Sequence, residues 1–322
     1  MRTVVHTYDE FDLVVEKKIL NGGGFELVPS HGVSTPESRA VLRKADALMI
    51  ALDKITGEIM DLMPKCKLIS RLGVGVDNID IAAATQRGIW VANVPDYGVD
   101  EVSTHAVSLM LSMLRGIPQL VASTRAGKWE SAAARPIRRF SEQTVGVMGF
   151  GRIGRLFAAK TRGFGVRLIA YDPLIDAETI KSHGAEPVDL DTLFRQSDFI
   201  SLHLPLNDDT RHVVNARSLA TMKPTAYIVN TARGGLIDEA ALLAAVRAGQ
   251  IRGAALDVLS AEPPPKDHPV LSELLKEERI LITPHFAWYS EEAMIDMRAK
   301  ATDEVVRVLG GQKPRSPVNQ IG

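Results

Sequence analysis

Four side chains that can exchange protons or bind anions stand at the ends of predicted β-strands in the second half of the chain. They are Arg233, Asp257, Glu262 and His285. In a doubly wound sheet, the residues just beyond the carboxyl ends of the strands contact the ligand. Singly, Arg233 is also consistent with a helix cap, Glu262 with a surface turn and His285 with an ordinary loop histidine. Their common position favours proton-transfer and anion-binding chemistry at one sheet edge.

A glycine-rich turn earlier in this half predicts where a nucleotide binds. Residues 144–154 read as a short apolar strand, a turn containing Gly149 and Gly151, and a helix that opens at Arg152 and contains Gly154. In this G-x-G-x-x-G pattern the first glycine permits the tight turn and the second lets the main chain approach a pyrophosphate. The third lets the helix pack on the strand, and the N–H groups at the helix start bind the phosphates.

An acidic residue at the end of the next apolar run indicates which nucleotide is bound. Asp172 follows Gly154 by eighteen residues, where a carboxylate accepts hydrogen bonds from an adenosine ribose. Its charge would repel a 2′-phosphate, and Pro173 rather than an arginine follows it. The sequence therefore favours NAD over NADP.

Short apolar strands alternate with helices in both halves of the chain, which predicts an α/β fold with two parallel, doubly wound sheets. In the first hundred residues we expect strands at 4–5, 25–28, 47–50, 68–70 and 90–92. In the second alternation we expect six strands, at 144–148, 167–171, 199–203, 226–230, 253–257 and 280–283. Six strands are typical of a dinucleotide-binding sheet.

Boundary residues predict several helices and a division into two domains. The helices are 56–63 capped by Thr56, 79–86 ended by Gly88, a long helix capped by Asp100, 238–248 capped by Asp238, and about 290–309 capped by Ser290. The helix after Asp100 connects the two halves, and the last helix is expected to pack on the first half. We therefore expect domains formed by residues 1–98 plus 290–322 and by residues 99–289.

The composition excludes several classes of protein. A net charge of −1 gives no general attraction to nucleic acid or anionic membranes. The single cysteine, Cys66, forms no internal disulfide or cysteine-based metal cluster, and we expect no metal site. Asp9, Glu10 and Asp12 interrupt any signal-peptide core, and no apolar run approaches the ~20 residues that span a bilayer. We expect a soluble, cytoplasmic protein that binds neither nucleic acid nor membrane.

The chain resembles the D-isomer-specific 2-hydroxyacid dehydrogenases along essentially its whole length. The resemblance rests on Arg71-Leu72-Gly73-Val74-Gly75-Val76-Asp77-Asn78-Ile79-Asp80, the glycine turn, His203-Leu204-Pro205-Leu206, and the segments around Arg233, Asp257, Glu262 and His285, in the family's order. It implies that residues 1–98 plus 290–322 form a flavodoxin-like substrate domain. It also implies that residues 99–289 form a Rossmann domain and that the cofactor is NAD.

The resemblance also implies roles for individual residues. His285 is then the general acid/base with Glu262 as its partner, and Arg233 binds the substrate's carboxylate or carbonyl oxygen. The main-chain N–H groups of Val74 and Gly75 hold the remaining carboxylate oxygen. The implied substrate-binding residues are Arg71, Val74, Gly75, Arg233, His285 and Trp288. The implied cofactor-binding residues are Gly149, Gly151, Arg152, Ile153, Gly154, Asp172, His203, Pro205, Thr210, Thr231, Ala232, Arg233, Asp257 and His285, with Asp257 near the nicotinamide amide and His203 and Pro205 on the adenine side.

The aromatic residues after His285 depart from most family members, which carry small residues there. Trp288 is similar to the tryptophan of the C-terminal-binding-protein branch, which faces the substrate, and Arg71 matches that branch and the phosphoglycerate dehydrogenases. A tryptophan favours an apolar or sulfur-bearing substrate tail over a phosphate. The alternative is that Trp288 only packs the domains together, and Phe286 leaves the pocket shape open.

Two further expectations concern assembly and length. Residues 100–140 are amphipathic and resemble the family's dimerisation segment, so we expect a homodimer. His105, on the helix after Asp100, is then structural or lies at a subunit contact. The chain ends at Gly322, so we expect no regulatory C-terminal domain.

Together these features predict an NAD-dependent oxidoreductase that interconverts a D-2-hydroxy acid and its 2-oxo acid. Two alternatives stay open. A D-3-phosphoglycerate dehydrogenase requires a basic phosphate pocket where we expect Trp288. An NAD-sensing, corepressor-like scaffold keeps the site but acts through partners, although the chain lacks the long disordered tails that such proteins often carry.

Overall fold

The structure, a computed structural model, describes residues 1–7 and 12–321. Asp9, Glu10 and Gly322, which the sequence arguments used, lie outside the described residues. The Cα positions divide the chain into unit 1, Met1–Gly98 with Ser290–Gly322, and unit 2, Val99–Tyr289.

The regular elements alternate strand and helix through most of the chain. The strands are β1 Arg2–His6, β2 Phe25–Pro29, β3 Ala47–Ile50, β4 Leu68–Arg71, β5 Trp90–Ala92, β6 Thr144–Met148, β7 Arg167–Tyr171, β8 Glu186–Pro187, β9 Phe199–Leu202, β10 Tyr227–Asn230, β11 Gly253–Leu256 and β12 Ile280–Ile282. The helices are α1 Val14–Leu20, α2 Pro36–Leu42, α3 Gly57–Asp61, α4 Ile81–Gln86, α5 Val99–Leu114, α6 Ile117–Arg125, α7 Arg152–Arg162, α8 Ala177–Ser182, α9 Leu190–Gln196, α10 Ala216–Ala220, α11 Glu239–Arg247, α12 Leu271–Leu274 and α13 Glu291–Leu309. Short 3₁₀ helices lie at Ser131–Ala134, Phe140–Glu142 and Gly234–Leu236.

Unit 1 contains a five-stranded parallel sheet in the order β2-β1-β3-β4-β5. This is the flavodoxin-like strand order that the family resemblance implies. Its core includes the buried side chains Leu48, Ile69 and Val91. Helix α13 packs against the sheet of this unit. Ser70 Oγ on β4 donates to the carbonyl oxygen of Ala301 on α13 at 2.9 Å.

A buried ion pair also anchors α13 to α1 in unit 1. The Arg298 guanidinium contacts Glu16 at 2.7 Å and Asp12 at 2.8 Å, and neither Arg298 nor Glu16 is exposed to solvent. The hydrogen bond to Glu16 raises the pKa of Arg298, and the hydrogen bond from Arg298 lowers the pKa of Asp12. Charges of this kind are tolerated in an interior only when they are paired in this way.

Unit 2 contains a seven-stranded parallel sheet in the order β12-β11-β10-β9-β6-β7-β8. The chain builds outward from β6 through β7 to β8, then returns to the other side of β6 for β9 to β12. This reversal, between β6 and β9, is the topological switch point at which doubly wound sheets bind nucleotides. All six predicted strands are present. The seventh, β8, was missed because it has two residues at a sheet edge and one of them is Pro187, which a strand pattern disfavours.

Two predicted helix starts were wrong. Helix α4 begins at Ile81 rather than at 79, because Asp80 is its cap and accepts a hydrogen bond from Ala83 N at 2.8 Å. Helix α5 already begins at Val99, so Asp100 lies in its first turn, where its carboxylate pairs with Lys160 at 2.7 Å.

The predicted helix over 56–63 is present as α3 but ends at Asp61, and the helices predicted over 238–248 and about 290–309 agree with α11 and α13. Thr56 precedes α3, although its side chain makes no capping bond within the described residues. Asp238 and Ser290 cap α11 and α13 through Ala241 N and Ala293 N. Gly249, at φ 69°, follows the end of α11 in the left-handed region.

In the part of the chain that the structure describes, no single helix has the length and apolar character needed to cross a membrane, although α5 and α6, bent by 62°, satisfy that test as a pair.

Candidate active site

The three glycines of the turn after β6 differ in their surroundings. Gly149 has a φ of 96°, and a Cβ there would lie 2.6 Å from the main chain of His203. A Cβ on Gly154 would overlap the carbonyl oxygen of Gly149, so this glycine allows α7 to pack on the turn. A Cβ on Gly151 would meet nothing within 4 Å. Gly151 therefore borders open space, as the approach of a pyrophosphate requires.

The amino end of α7 faces this turn. Gly151 is its N-cap residue, and among the described residues no side chain caps it. Arg152 and Ile153 begin the helix, and its first turn contains no acidic residue. The end of an eleven-residue helix with unsatisfied N–H groups is suited to a phosphate.

Asp172 supports the same turn from the end of β7. Its Oδ2 accepts a hydrogen bond from Phe150 N at 2.6 Å, and its Oδ1 accepts from Leu174 N at 2.8 Å. A carboxylate has about four acceptor sites, so these bonds leave capacity for a ribose hydroxyl. Asp172 thus braces the glycine turn, a contact that the sequence did not predict.

The His203 ring lies against the interior of unit 2. Its Nε2 is 2.9 Å from Ser201 Oγ, and its ring centroid is 5.1 Å from that of Phe157. Burial lowers the pKa of His203 to about 3, so the imidazole is neutral. Its main chain, rather than a charged ring, borders Gly149.

The loop after β9 is closed by Thr210, whose hydroxyl donates to the carbonyl oxygen of Pro205 at 2.7 Å. Thr210 is buried and Pro205 is exposed. Of the residues predicted to bind the cofactor, Pro205 therefore presents its side chain to solvent, while Thr210 shapes the loop.

Asn230, which sequence reasoning missed, builds the turn that carries Arg233. Its Nδ2 donates to the carbonyl oxygen of Arg233 at 2.9 Å, and its Oδ1 accepts from Ala232 N at 3.0 Å. Arg233 Nη1 in turn donates to the carbonyl oxygen of Ala232 at 2.8 Å. Asn230 is fully buried at the end of β10, and a polar residue closing a buried strand is the signal that could have identified it.

The Arg233 turn packs directly against the turn that carries Glu262. A Cβ on Gly234 would overlap the main chain of Leu259 and Ser260. Leu259 N donates to Glu262 Oε1 at 2.7 Å. The guanidinium-bearing turn and the carboxylate-bearing turn are therefore neighbours at one edge of the sheet.

Glu262 and His285 form a hydrogen-bonded pair. His285 Nδ1 lies 2.5 Å from Glu262 Oε2, and the two side chains are 33% and 32% exposed. The other Glu262 oxygen, Oε1, accepts the hydrogen bond from Leu259 N, so both carboxylate oxygens are fixed. This contact orients the ring and directs its second nitrogen, Nε2, away from Glu262.

Asp257 holds the main chain on both sides of His285. Its carbonyl oxygen accepts from His285 N at 2.7 Å, and its carboxylate accepts from Thr283 Oγ1 at 2.5 Å, Phe286 N at 3.0 Å and Ala287 N at 2.9 Å. The residue is 1% exposed. The family resemblance implies that this carboxylate lies near a nicotinamide amide; in the structure it accepts hydrogen bonds from the segment that carries His285.

An aromatic cluster follows His285. The rings of Phe286 and Tyr289 are stacked with centroids 4.6 Å apart, and Trp288 lies edge-on to Tyr289 at 5.5 Å. Phe286 is 49% exposed, whereas Trp288 is half-buried.

In unit 1, the loop after β4 presents main-chain donors. Gly73 has a φ of 142°, and the Arg71 guanidinium lies against it while donating to the carbonyl oxygen of Leu72. The main-chain N–H groups of Val74 and Gly75 have no hydrogen-bond acceptor among residues 1–7 and 12–321. Consecutive N–H groups of this kind suit a carboxylate or phosphate oxygen.

Comparison with known proteins identifies the family. Residues 107–287 match the family model of the NAD-binding domain of the D-isomer specific 2-hydroxyacid dehydrogenases. The chain belongs to the D-isomer specific 2-hydroxyacid dehydrogenase family. It is 37% identical over 307 residues to the hydroxypyruvate reductase of Thermotoga maritima. The aligned region covers 95% of this chain and 98% of that relative.

Two further members of the family extend this comparison. The D-3-phosphoglycerate dehydrogenase of Methanocaldococcus jannaschii is 40% identical over 304 residues, covering 94% of this chain and 57% of that relative. The crystal structure of D-lactate dehydrogenase from Aquifex aeolicus, complexed with NAD and lactic acid, matches with a TM-score of 0.88 at 27% identity, covering 96% of each chain. The chain spans about half the length of the D-3-phosphoglycerate dehydrogenases it matches.

The residues of this family member fit NAD, the cofactor of its matched domain. Gly151 borders open space, and α7 has an uncapped amino end within the described residues. In addition, the buried hydroxyl of Thr231, at the end of β10, has no hydrogen-bond partner in the described part of the chain. Buried polar groups without a partner are rare, and a hydroxyl in this position is available to hydrogen-bond a bound cofactor.

Proposed function

We propose that this protein catalyses the NAD-dependent interconversion of a D-2-hydroxy acid and its 2-oxo acid, with His285 as the general acid/base. The observation that carries the proposal is the 2.5 Å contact between His285 Nδ1 and Glu262 Oε2, on a turn that packs against the Arg233 turn. An imidazole fixed through one nitrogen can exchange a proton through the other, which is the arrangement of a general acid/base.

In the direction of reduction, this chain's residues bind the 2-oxo acid and supply its proton. The Arg233 guanidinium binds the carboxylate and the carbonyl oxygen, and so polarises the carbonyl bond. His285 Nε2 donates the proton to the carbonyl oxygen, while Glu262 stabilises the charged imidazole. NADH, when bound, supplies the hydride to the carbonyl carbon.

The substrate contacts that the family resemblance implies for the loop after β4 belong to the same proposal. The N–H groups of Val74 and Gly75 donate to the second carboxylate oxygen, which is supported by their lack of acceptors within the described residues. Arg71 contributes positive charge to the same loop. Trp288, with its aromatic neighbours, contacts the substrate's side chain.

The proposed cofactor contacts follow the ends of the strands in unit 2. Gly149, Gly151, Arg152, Ile153 and Gly154 surround the pyrophosphate, and Asp172 accepts from the ribose and disfavours a 2′-phosphate. Pro205 and the main chain of His203 and Thr210 border the adenine side. Thr231, Ala232, Arg233, Asp257 and His285 border the nicotinamide side.

We propose a substrate without a phosphate group. The cluster of Phe286, Trp288 and Tyr289 next to His285 supports this choice, because aromatic surface favours a neutral side chain. D-3-phosphoglycerate is the second candidate substrate. It is supported by relatives named D-3-phosphoglycerate dehydrogenase, about half of whose length this chain spans. Phosphohydroxypyruvate and hydroxypyruvate differ by the phosphate alone and therefore distinguish the two.

We also propose that the protein is a homodimer. Helix α6 buries none of its described side chains, and Ile117, Val121 and Trp129 are 46%, 41% and 93% exposed. Apolar surface of this kind is typical of an interface with another copy. Light scattering should give twice the chain mass for the native protein and a lower mass for V121E; a monomeric native protein would reject the proposal. The cytoplasmic location, and the lack of nucleic-acid and membrane partners, stay predictions.

The test of the proposed function is a turnover panel. NADH and NADPH are each supplied with glyoxylate, pyruvate, hydroxypyruvate, phosphohydroxypyruvate and 2-oxo acids with longer apolar tails. We expect oxidation of NADH, faster than of NADPH, with an unphosphorylated acid as the best substrate. Efficient turnover of phosphohydroxypyruvate alone would favour the phosphoglycerate reaction. No oxidation with any acid, despite NADH binding, would favour the corepressor-like scaffold.

A further inference from the structure

The imidazole of His105, on α5, reaches the segment that carries His285. Its Nε2 lies 3.1 Å from Thr283 Oγ1 and 3.5 Å from Asp257 Oδ1. Thr283 Oγ1 donates to that same Asp257 oxygen at 2.5 Å. These three residues, which we name the α5 brace, join the helix to the end of β11 and to the segment after β12.

The hydrogen bonds of the α5 brace have one consistent direction. The Asp257 carboxylate only accepts, so the Thr283 hydroxyl must donate to it and can accept from His105. The His105 ring therefore carries its proton on Nε2 and donates it to Thr283 Oγ1. Hydrogen bonds arranged in such a chain polarise and strengthen one another.

The segment held by the α5 brace needs support, because His285 has a φ of 54°. The left-handed region disfavours a residue with a Cβ. Asp257 offsets this through the hydrogen bonds that it accepts from Phe286 N and Ala287 N. If the Asp257 carboxylate rotates, those two bonds weaken and His285 Nδ1 moves relative to Glu262.

We propose that His105 is a positioning residue for His285 and acts through Thr283 and Asp257. The inference rests on the proposed function for its effect on turnover, but the geometry it describes is independent of any substrate. His105 donates to Thr283, Thr283 fixes the rotamer of the Asp257 carboxylate, and the carboxylate fixes the left-handed main chain at His285. Misplacement of a reacting group by about 1 Å lowers a rate by as much as 100-fold.

Two substitutions at position 105 separate the hydrogen bond from the bulk of the side chain. H105L fills the space without a donor, and H105Q keeps an amide N–H near the position of Nε2. We expect H105L to lower kcat about 10- to 100-fold, with the Kd for NADH unchanged within about threefold. H105Q should recover most of the rate. S108A removes an exposed hydroxyl whose hydrogen bond, among the described residues, is to the Thr104 carbonyl oxygen within α5; it is the matched control and should behave as the wild type.

A double-mutant cycle tests the route of the effect. T283V removes the hydroxyl that links His105 to Asp257 while keeping the shape of the side chain. If both residues act through one chain of hydrogen bonds, the kcat of the H105L/T283V double variant should be no more than about threefold below the kcat of the poorer single variant. Losses that multiply would overturn the proposed route. If H105L fails to fold, the kcat of T283V compared with that of the wild type still tests the α5 brace.

An NMR measurement tests the positioning without turnover. The proton in the short Nδ1 to Glu262 bond should give a strongly deshielded resonance, assigned by its absence in H285N. We expect this resonance to shift or vanish in H105L and to return in H105Q. An unchanged resonance and a kcat within twofold of wild type in H105L, or equal losses in H105L and H105Q, would overturn the inference. If the wild type reduces no 2-oxo acid, the proposed function fails, and the resonance alone decides the positioning role.

Discussion

The glycine turn after β6 and the turns after β10 to β12 lie at the same edge of one sheet but are built differently. The glycine turn depends on side chains that are missing, since a Cβ on Gly149 or Gly154 would overlap main chain. The turns around His285 depend on side chains that are present, because Asn230, Asp257 and Glu262 each bond main-chain N–H groups. The first region is held mainly by close packing, with one side-chain acceptor from Asp172, whereas the second is held by the side-chain acceptors of Asn230, Asp257 and Glu262.

This contrast explains how each region suits a different task. A pyrophosphate needs exposed main-chain donors and room to approach, which glycines provide. An imidazole that transfers a proton needs a fixed orientation. Here one carboxylate, that of Glu262, contacts a ring nitrogen of His285, and a second, that of Asp257, accepts hydrogen bonds from the main-chain N–H groups that follow His285. Substitutions should therefore affect cofactor binding in the first region and turnover in the second.

The largest expected effect on cofactor binding separates two glycines of the same turn. G151A places a methyl group in open space, so we expect an unchanged Tm and an NADH Kd about 10- to 100-fold higher. G154A forces a methyl group against the Gly149 carbonyl oxygen, so we expect weaker NADH binding and also a loss of about 1–3 kcal/mol of stability. Fluorescence titration with NADH and thermal unfolding measure both quantities. Equal destabilisation by the two substitutions would contradict the difference in packing.

A smaller effect should distinguish the two bracing aspartates. D172N weakens the acceptor of Phe150 N and should raise the NADH Kd about tenfold, with kcat at saturating NADH close to wild type. D257N weakens the acceptor of Phe286 N and Ala287 N, and should lower kcat about tenfold. Steady-state kinetics over a range of NADH concentrations separates the two. If D257N changed only the NADH Kd, the nicotinamide contact expected from the sequence would outweigh its bracing role.

A further prediction concerns stability and the neutral imidazole of His203, whose main chain borders the glycine turn. Burial lowers the pKa of His203 to about 3, against about 6.5 in the unfolded chain. Between these values the unfolded state binds a proton that the folded state does not, so stability falls as pH decreases below 6.5. From pH 7 to pH 5 this amounts to about 2 kcal/mol. H203Q should lose correspondingly less stability over that range in chemical unfolding, and an unchanged pH dependence would contradict the burial of the ring.

Much of the fold could be predicted from the sequence, because its signals are local. Buried parallel strands are short apolar runs, and Asp238 and Ser290 cap their helices through amides three residues away. The glycine pattern likewise describes contacts within one turn. The two-residue strand β8 has no such signal, because its pairing with Ile169 and Ala170 depends on the neighbouring strand.

The site was predictable only in part, because its contacts join residues far apart in the chain. The residue types at the strand ends identified Arg233, Glu262 and His285, and the family resemblance suggested that Glu262 pairs with His285. The bonds from Asp257 to amides about 30 residues later, and from His105 to Thr283, depend on how α5 and the strands pack. Asp100 shows the same limit, since its pairing with Lys160 cannot be deduced from a capping pattern.

The most direct measurement compares NADH oxidation by the wild type and by H285A, with the best 2-oxo acid of the panel. We predict that H285A loses about 100- to 10,000-fold in kcat while binding NADH with nearly unchanged affinity. H212N, at an exposed histidine of the same unit, should retain full activity. Turnover by H285A within a few-fold of the wild type would contradict the assignment of His285 as the proton donor.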